Sequence, residues 1–184
     1  MGERLVAMAL PGWTLARASI NSKGITKLLP SLVRYSQVAE HVHPVLCIAD
    51  ADRACVARLV SDWLPRGAGP RLLLRIAVPE AESWLLADRR GVADFFGVSL
   101  KSVPPHPEHL TDAKLEVLKL AKRSCHRLLR EEMISSTHAD RQGSGYNTHL
   151  CSFVRGAWQA ERGADSSPSL ARAVSRVEQL STLP

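Results

Sequence analysis

Residues 45–52 have the sequence VLCIADAD, in which five consecutive apolar residues precede two aspartates separated by an alanine. An apolar run of β-forming residues predicts a buried strand of a parallel sheet. Asp50 lies where this strand should end, and Asp52 precedes a helical pattern. Open α/β sheets bind ligands at the carboxyl ends of their strands, and paired carboxylates are suitable ligands for a divalent cation. Capping of the next helix by either aspartate is the alternative explanation.

A second acidic segment follows a second apolar run. Residues 72–78 predict another strand, and the sequence PEAESW then leads into a helical pattern. Pro79 suits the first turn of that helix, where its missing N–H is not needed. Glu80 and Glu82 would share this turn, where the helix dipole favours negative charge. If the two strands are neighbours, all four acidic residues lie at one edge of the sheet, where a cation would offset their repulsion.

Helical and strand-like patterns alternate in the first half of the chain. Residues 3–10 and 25–40 have helical spacing, with Pro30 near the start of the second helix, whereas residues 13–20 (WTLARASI) alternate roughly as a strand does. A further helical pattern separates the two acidic segments. This order predicts an α/β domain over residues 1–100, with a parallel sheet flanked by helices and joined by right-handed crossovers.

Strand-like patterns end at a proline- and histidine-rich connection, residues 102–109. The remainder is helical, so residues 101–184 are predicted to form a helical C-terminal extension packed on the α/β domain. Thr111 and Asp112 would cap a long amphipathic helix over residues 111–130. The basic side chains on this helix have two explanations, a solvated polar face or a contact with nucleic acid. The candidate nucleic-acid contacts are Lys114, Lys119, Lys122 and Arg123.

Bulk composition sets the broad class. A length of 184 residues, with 45% apolar residues, predicts one domain with a helical appendage. The net charge of +6 allows a polyanionic partner, although solubility alone explains it. Four cysteines without CxxC spacing indicate a reducing compartment. With no leader pattern and no apolar run long enough to span a bilayer, we expect a cytoplasmic protein without membrane contact.

Other motifs receive little support. His41 and His43 form an HxH pair, but nothing nearby favours a metal site and a solvated loop explains them. Haloacid-dehalogenase-type phosphatases need Thr or Val at the position of Ala54, and glycosyltransferase DxD motifs usually occur in larger domains. No GxSxG or GxGxxG follows a predicted strand.

Residues 75–88, RIAVPEAESWLLAD, follow the strand that ends in DxD. This segment resembles the R-I-A-x-x-E-x-E-x-W-x-x-A-D signature of an uncharacterised bacterial Toprim-like family, related to Toprim topoisomerases, primases and nucleases. The resemblance extends from about Gly24 onward. Three further pieces match, namely Asp112-Ala113-Lys114, Gly145-Tyr146-Asn147 and Ser167-Pro168-Ser169-Leu170.

The resemblance implies a Toprim-like fold and a nuclease-like, Mg²⁺- or Mn²⁺-dependent phosphodiester chemistry in a bacterial DNA-defence system, such as one directed against phage, or in DNA processing. Asp50, Asp52 and Glu80 would be catalytic, and Glu82 would join them as a metal ligand. DNA or RNA would be the substrate, with a partner ATPase or self-association. A catalytically inactive nucleic-acid-binding or partner subunit of a larger complex is the alternative.

One departure from the family bears on catalysis. The first Toprim strand and the glutamate at its carboxyl end have no counterpart in the chain, and Glu3 lies at the head of the first predicted helix. The missing strand would fall before Met1. We therefore expect a sheet with its first strand missing, an uncovered edge on the central strand, and no nuclease activity from the chain as given.

Overall fold

The computed structural model describes residues 1–183. Two strands and ten α-helices account for most of these residues, with short 3₁₀ turns at Leu100–Ser102, Pro107–His109 and Gln179–Thr182. The elements in chain order are α1 (Gly2–Ala9), α2 (Ile25–His41), β1 (Val45–Asp50), α3 (Val56–Trp63), β2 (Leu72–Ala77), α4 (Ala81–Ala87), α5 (Arg89–Phe96), α6 (Ala113–Arg123), α7 (Arg127–Glu132), α8 (Tyr146–Gly156), α9 (Ala160–Ala164) and α10 (Pro168–Glu178).

The sheet consists of β1 and β2 running parallel. Val45 pairs with Leu72 and Asp50 pairs with Ala77, so the strands end level with each other. The predicted parallel sheet flanked by helices is confirmed, and within residues 1–183 it has only these two strands. The shared end is what brings the two acidic segments to one edge.

Alternate residues of each strand face opposite layers of helices. Cys47, Leu72 and Leu74 pack with the apolar faces of α2 and α3. On the opposite face, Leu46 and Leu73 pack with α1 and α10. Burial on both faces explains why the strand sequences are almost continuously apolar.

Residues 13–20 do not form the predicted strand. In the structure they have no regular secondary structure and are exposed. Leu15 is 47% exposed and Ile20 is 54% exposed. The alternating pattern is present, but no neighbouring strand supplies the backbone partners that would hold it.

The predicted helix over residues 111–130 is interrupted. α6 ends at Arg123 and α7 begins at Arg127. The Ser124 hydroxyl donates to the carbonyl of Phe96 at 2.6 Å, and the Cys125 N–H donates to the same carbonyl at 3.2 Å. These bonds replace helical ones, and Cys125 and Leu128, which follow the break, are exposed.

The two halves of the chain share a core. The largest buried cluster combines Leu5 and Ala77 with side chains from α4 through α10. α4 packs against α6 and α9. The boundary at residue 100 stays a prediction, since a shared core neither defines nor excludes two domains.

Among residues 1–183, no helix has the length and apolar character needed to cross a membrane.

Candidate functional site

The loop after β1 is held against the loop after β2 by backbone hydrogen bonds. The N–H groups of Ala51 and Asp52 both donate to the carbonyl of Pro79, each at 3.0 Å. Asp52 and Arg53 adopt left-handed backbone conformations, with φ of +46° and +65°. Aspartate tolerates this region better than most residues, and the bonds to Pro79 help to fix the turn. The two acidic segments are therefore linked through their main chains.

Neither aspartate caps the helix that follows β1. α3 begins at Val56 with Cys55 as its N-cap and no side-chain cap, so the capping alternative is wrong for that helix. Asp50 Oδ1 instead accepts the N–H of Ala81, the first residue of α4, at 2.8 Å. The carboxylate at the end of β1 thus stabilises the helix that follows β2.

α4 starts later than the sequence indicates. Glu80 is its N-cap residue and Glu82 lies in its first turn, so Pro79 precedes the helix and does not occupy that turn. The local bonds around Pro79 explain the shift, because its carbonyl is already used by the loop after β1. Glu80 is free to direct its side chain away from α4.

The helical half of the chain holds both glutamates. Glu80 Oε1 accepts the N–H of Lys114 in the first turn of α6 at 2.8 Å. Glu82 Oε1 accepts the hydroxyl of Tyr146, at the start of α8, at 3.0 Å. The helix dipole of α6 adds to the first contact, because helix N-termini favour negative charge. Each glutamate is positioned by a residue far away in sequence.

A guanidinium group joins the same assembly. Arg53 Nη2 donates to the carbonyl of Thr111 at 2.7 Å, and Asp112 caps α6 by accepting the N–H of Leu115 at 2.7 Å. The predicted capping by Asp112 is confirmed. The start of α6 is therefore fixed to the loop that carries Asp52.

Burial and mutual repulsion act on the carboxylates. Desolvation raises the pKa of Asp50 above its ordinary value, and the charges of Asp52 and Glu80 act in the same direction against the opposing bond from Ala81. Asp50 is exposed as a residue, and its carboxylate is bonded to the N–H of Ala81 at the start of α4. Desolvation likewise raises the pKa of Glu82, reinforced by Glu80 and Asp50. The negative charge of Glu80 therefore acts on both Asp50 and Glu82.

Tyr146 responds to the same charges. Burial raises the pKa of its phenol, and the charge and hydrogen bond of Glu82 raise it further. The Lys114 ammonium lies 5.5 Å from the centre of the Tyr146 ring, a distance compatible with a cation–π contact. Lys114 therefore contacts this edge twice, through its N–H at Glu80 and through its ammonium beside the Tyr146 ring.

The donor chemistry suits a hard cation, whereas an all-protein ligand set is incomplete. Within residues 1–183, no three His, Cys, Asp or Glu residues come close enough to hold a metal ion. Mg²⁺ commonly uses only one or two carboxylates and keeps several waters. Asp50 and Glu80 each use one oxygen in a structural bond, which leaves their second oxygens as candidate ligands. The assignment of the four carboxylates to a metal stays a prediction.

The four predicted nucleic-acid contacts lie in different surroundings. Lys114 is half-buried at the acidic edge, and Lys119 is bonded to Glu116 at 2.9 Å. Lys122 and Arg123 are exposed in the last turn of α6. Of the four, these last two are the bases best placed to meet an external phosphate.

The rest of the RIAVPEAESWLLAD segment serves the fold. Trp84 is fully buried, and its indole N–H donates to the Ser169 hydroxyl at 2.7 Å. Trp158 donates to the Trp84 carbonyl at 3.0 Å. Asp88 is fully buried and forms a two-point ion pair with Arg162, at 2.8 and 2.7 Å. Residues of α4 and the turn after it therefore fasten the C-terminal helices to the acidic edge.

Tyr146, Arg53 and Arg162 have roles that were not predicted from the sequence. Tyr146 and Ser169 lie in two of the short pieces on which the predicted Toprim-like resemblance rests, and in the structure these residues contact Glu82 and Trp84. Because both pieces belong to the same resemblance as the acidic segment, the resemblance was a signal that they lie close to that segment. Arg53 and Arg162 carried no such signal, because their partners are 58 and 74 residues away.

Comparison of the chain with protein-family models, with curated proteins and with solved structures gives no match.

Proposed function

We propose that the chain is a Mg²⁺-dependent phosphodiester-cleaving protein, nuclease-like and of Toprim type. The observation that carries the proposal is the position of Asp50, Glu80 and Glu82 after the level ends of two parallel strands, where burial and neighbouring carboxylates raise the pKa values of Asp50 and Glu82. Ligand sites of α/β sheets lie at this edge. Carboxylates whose pKa values are raised by burial and by neighbouring negative charges gain stability from a bound cation.

The residues divide into two roles in this proposal. Asp50 and Asp52 would hold the cation with water as its other ligands, and the nearby charge of Glu82 would add to the attraction. Mn²⁺ could replace Mg²⁺ because both accept oxygen ligands. When bound, the cation supplies charge stabilisation at a phosphodiester oxygen. Glu80 would carry the acid–base step through the carboxylate oxygen that does not bind the Lys114 N–H.

The hydrogen bonds around these carboxylates support the assignment. A catalytic carboxylate works best when its orientation is set before the substrate arrives. Asp50 is oriented by Ala81, Glu80 by Lys114 and Glu82 by Tyr146. Each of these bonds leaves an oxygen atom for other ligands. The cellular setting that we propose is bacterial DNA defence or DNA processing, with DNA or RNA as substrate and a partner ATPase or a second copy as partner.

Thermal unfolding with and without Mg²⁺ tests the proposal. A ligand at about 100 times its Kd adds about 2.7 kcal/mol, which for a chain of this size raises the Tm by about 5–10 °C. The double variant Asp50→Asn, Asp52→Asn should abolish this shift, and the amide oxygen introduced at position 50 can still accept the Ala81 N–H. The matched control Asp140→Asn, Asp165→Asn removes two exposed charges elsewhere and should keep the shift. An equal Mg²⁺ response in both double variants would rule out the site.

A catalytically inactive nucleic-acid-binding or partner subunit is the second candidate. It is favoured by the incomplete ligand set within residues 1–183 and by the exposure of Lys122 and Arg123. The two candidates differ in one measurement, incubation of the chain with labelled DNA and RNA in Mg²⁺ and in Mn²⁺. Cleavage that is lost in the Asp50→Asn, Asp52→Asn variant supports the enzyme and contradicts the expectation that the chain as given is inactive. Salt-dependent binding without cleavage supports the subunit.

A further inference from the structure

One edge of β1 is unpaired within the part of the chain that the structure describes. β2 lies along one side of β1, and no strand lies along the other. A free strand edge exposes N–H and C=O groups that bind another strand readily. This edge of β1 is therefore available to pair with another strand.

A cavity of about 650 Å³ lies beside that edge. Its walls include every residue of β1, together with residues of α1 and α2. Since α1 packs on one face of the sheet and α2 on the other, a space that touches both helices and the strand lies at the free edge between them. The outer wall of the cavity is formed by residues 13–25.

Part of the outer wall has a strand-like sequence, although it forms no strand in the structure. Residues 13–20 alternate apolar and polar side chains roughly, with one change of phase between Leu15 and Ala16. They have no regular structure, and Trp13, Leu15 and Ile20 are 42%, 47% and 54% exposed. The Glu3 carboxylate accepts the Ser19 N–H at 3.0 Å and the Ser19 hydroxyl at 2.7 Å. This contact fastens the end of the segment near α1.

The connection to β1 has the length and form that a parallel pair requires. Parallel neighbours need a crossover of a dozen or more residues, usually containing a helix. Residues 21–44 supply such a crossover, and 17 of them form α2, which spans Ile25–His41. A right-handed crossover would place residues 13–20 beside β1.

We infer that residues 14–19 form a third strand, parallel to β1 and paired with its free edge, in a second, closed conformation that predominates in solution. Closure fills the cavity, satisfies the backbone groups of β1 and buries part of the exposed apolar side chains. In a parallel arrangement the new strand ends at the same edge as Asp50. Residues 19–24 would then form a wall of the candidate site.

Hydrogen exchange of the full chain, followed amide by amide, tests the inference. In a strand at a sheet edge, alternate N–H groups point toward the neighbouring strand, so alternate amides of residues 14–19 should exchange at least about tenfold more slowly than unstructured ones. Exchange of the whole segment at unstructured rates would overturn the inference.

Two neighbouring proline variants sharpen the test. Proline removes one N–H, and an edge strand tolerates it only where that N–H points outward. Of Ala16→Pro and Arg17→Pro, one should abolish the protection of residues 14–19 and the other should retain most of it. Ala16→Val, which keeps the N–H and favours extended backbone, should increase protection. Equal effects of the two proline variants would contradict a strand.

Discussion

Asp88→Asn tests the contact that fastens the C-terminal helices to the acidic edge. Each oxygen of the buried carboxylate accepts two bonds: Oδ1 from Gly91 N–H at 3.1 Å and Arg162 Nε at 2.8 Å, and Oδ2 from Gln159 N–H at 2.8 Å and Arg162 Nη2 at 2.7 Å. Asparagine has the same shape but only one acceptor oxygen. Its amide nitrogen would face two N–H donors, and the guanidinium would lose its counter-charge.

The loss follows from the burial of the two partners. Removing one partner of a buried ion pair costs about 3–5 kcal/mol. The Asp88 side chain is fully buried, but that of Arg162 is 45% exposed and can be solvated after the change. We therefore expect about 2–4 kcal/mol, which corresponds to a Tm lower by about 5–15 °C for a chain of this length.

Thermal and urea unfolding of Asp88→Asn, followed by circular dichroism, measures the loss. Asp94→Asn is the matched control, because Asp94 lies on α5, is exposed and acts on Arg162 only through its charge. This control should change stability by no more than about 0.5 kcal/mol. If the two variants unfold together, Asp88 and Arg162 do not form a buried pair in solution.

The remaining predictions concern charge and one buried bond. The folded-state pKa values of Asp50 and Glu82 lie above their ordinary values of 3.8 and 4.5, so these two groups should lower the stability of the protein as the pH rises from the ordinary values through the raised ones. Asp50→Asn and Glu82→Gln should each flatten this fall in a series of melts across pH. An unchanged profile would contradict the shifts. If α6 contacts duplex DNA, Lys122→Gln with Arg123→Gln should reduce the slope of log affinity against log salt by about 2, and an unaltered slope would leave these bases merely solvated. Ser169→Ala leaves a buried indole N–H without its acceptor and should cost about 1–3 kcal/mol in urea unfolding, whereas a neutral result would require another acceptor.

The sheet and its flanking helices were accessible from local sequence. A continuous apolar run bounded by polar residues specifies a strand buried on both faces, which is what β1 and β2 are. The helical spacing of residues 25–40 likewise predicted α2, and Pro30 is accommodated inside it. In these elements the local preference and the tertiary contacts agree.

Local patterns failed where distant contacts decide the conformation. The helical pattern continues through Ser124, but bonds to the Phe96 carbonyl break the helix there. The alternation in residues 13–20 is strand-like, but a strand needs a paired neighbour, and the structure gives it none. Both differences arise from partners that no window of sequence contains.

The candidate site was predicted in part. Position at the ends of two strands indicated that Asp50 and Glu80 would share an edge, and the effect of the Glu80 charge on the pKa of Asp50 agrees with that. The sequence did not indicate which groups orient the carboxylates. The Lys114 N–H and the Tyr146 hydroxyl are 34 and 64 residues away from Glu80 and Glu82, so only the fold brings them together.

The bonds from Lys114 and Tyr146 set a limit on dissection of the molecule. A fragment that ended at residue 100 would contain all four acidic residues, yet neither the amide that orients Glu80 nor the hydroxyl that orients Glu82. It would also expose the apolar faces of α4 and α5, which the later helices bury. In activity assays on such a fragment, the carboxylates of Glu80 and Glu82 would be present, but the groups that orient them would be missing. If this edge were grafted onto another scaffold, the first turns of α6 and α8 would have to be included in the graft.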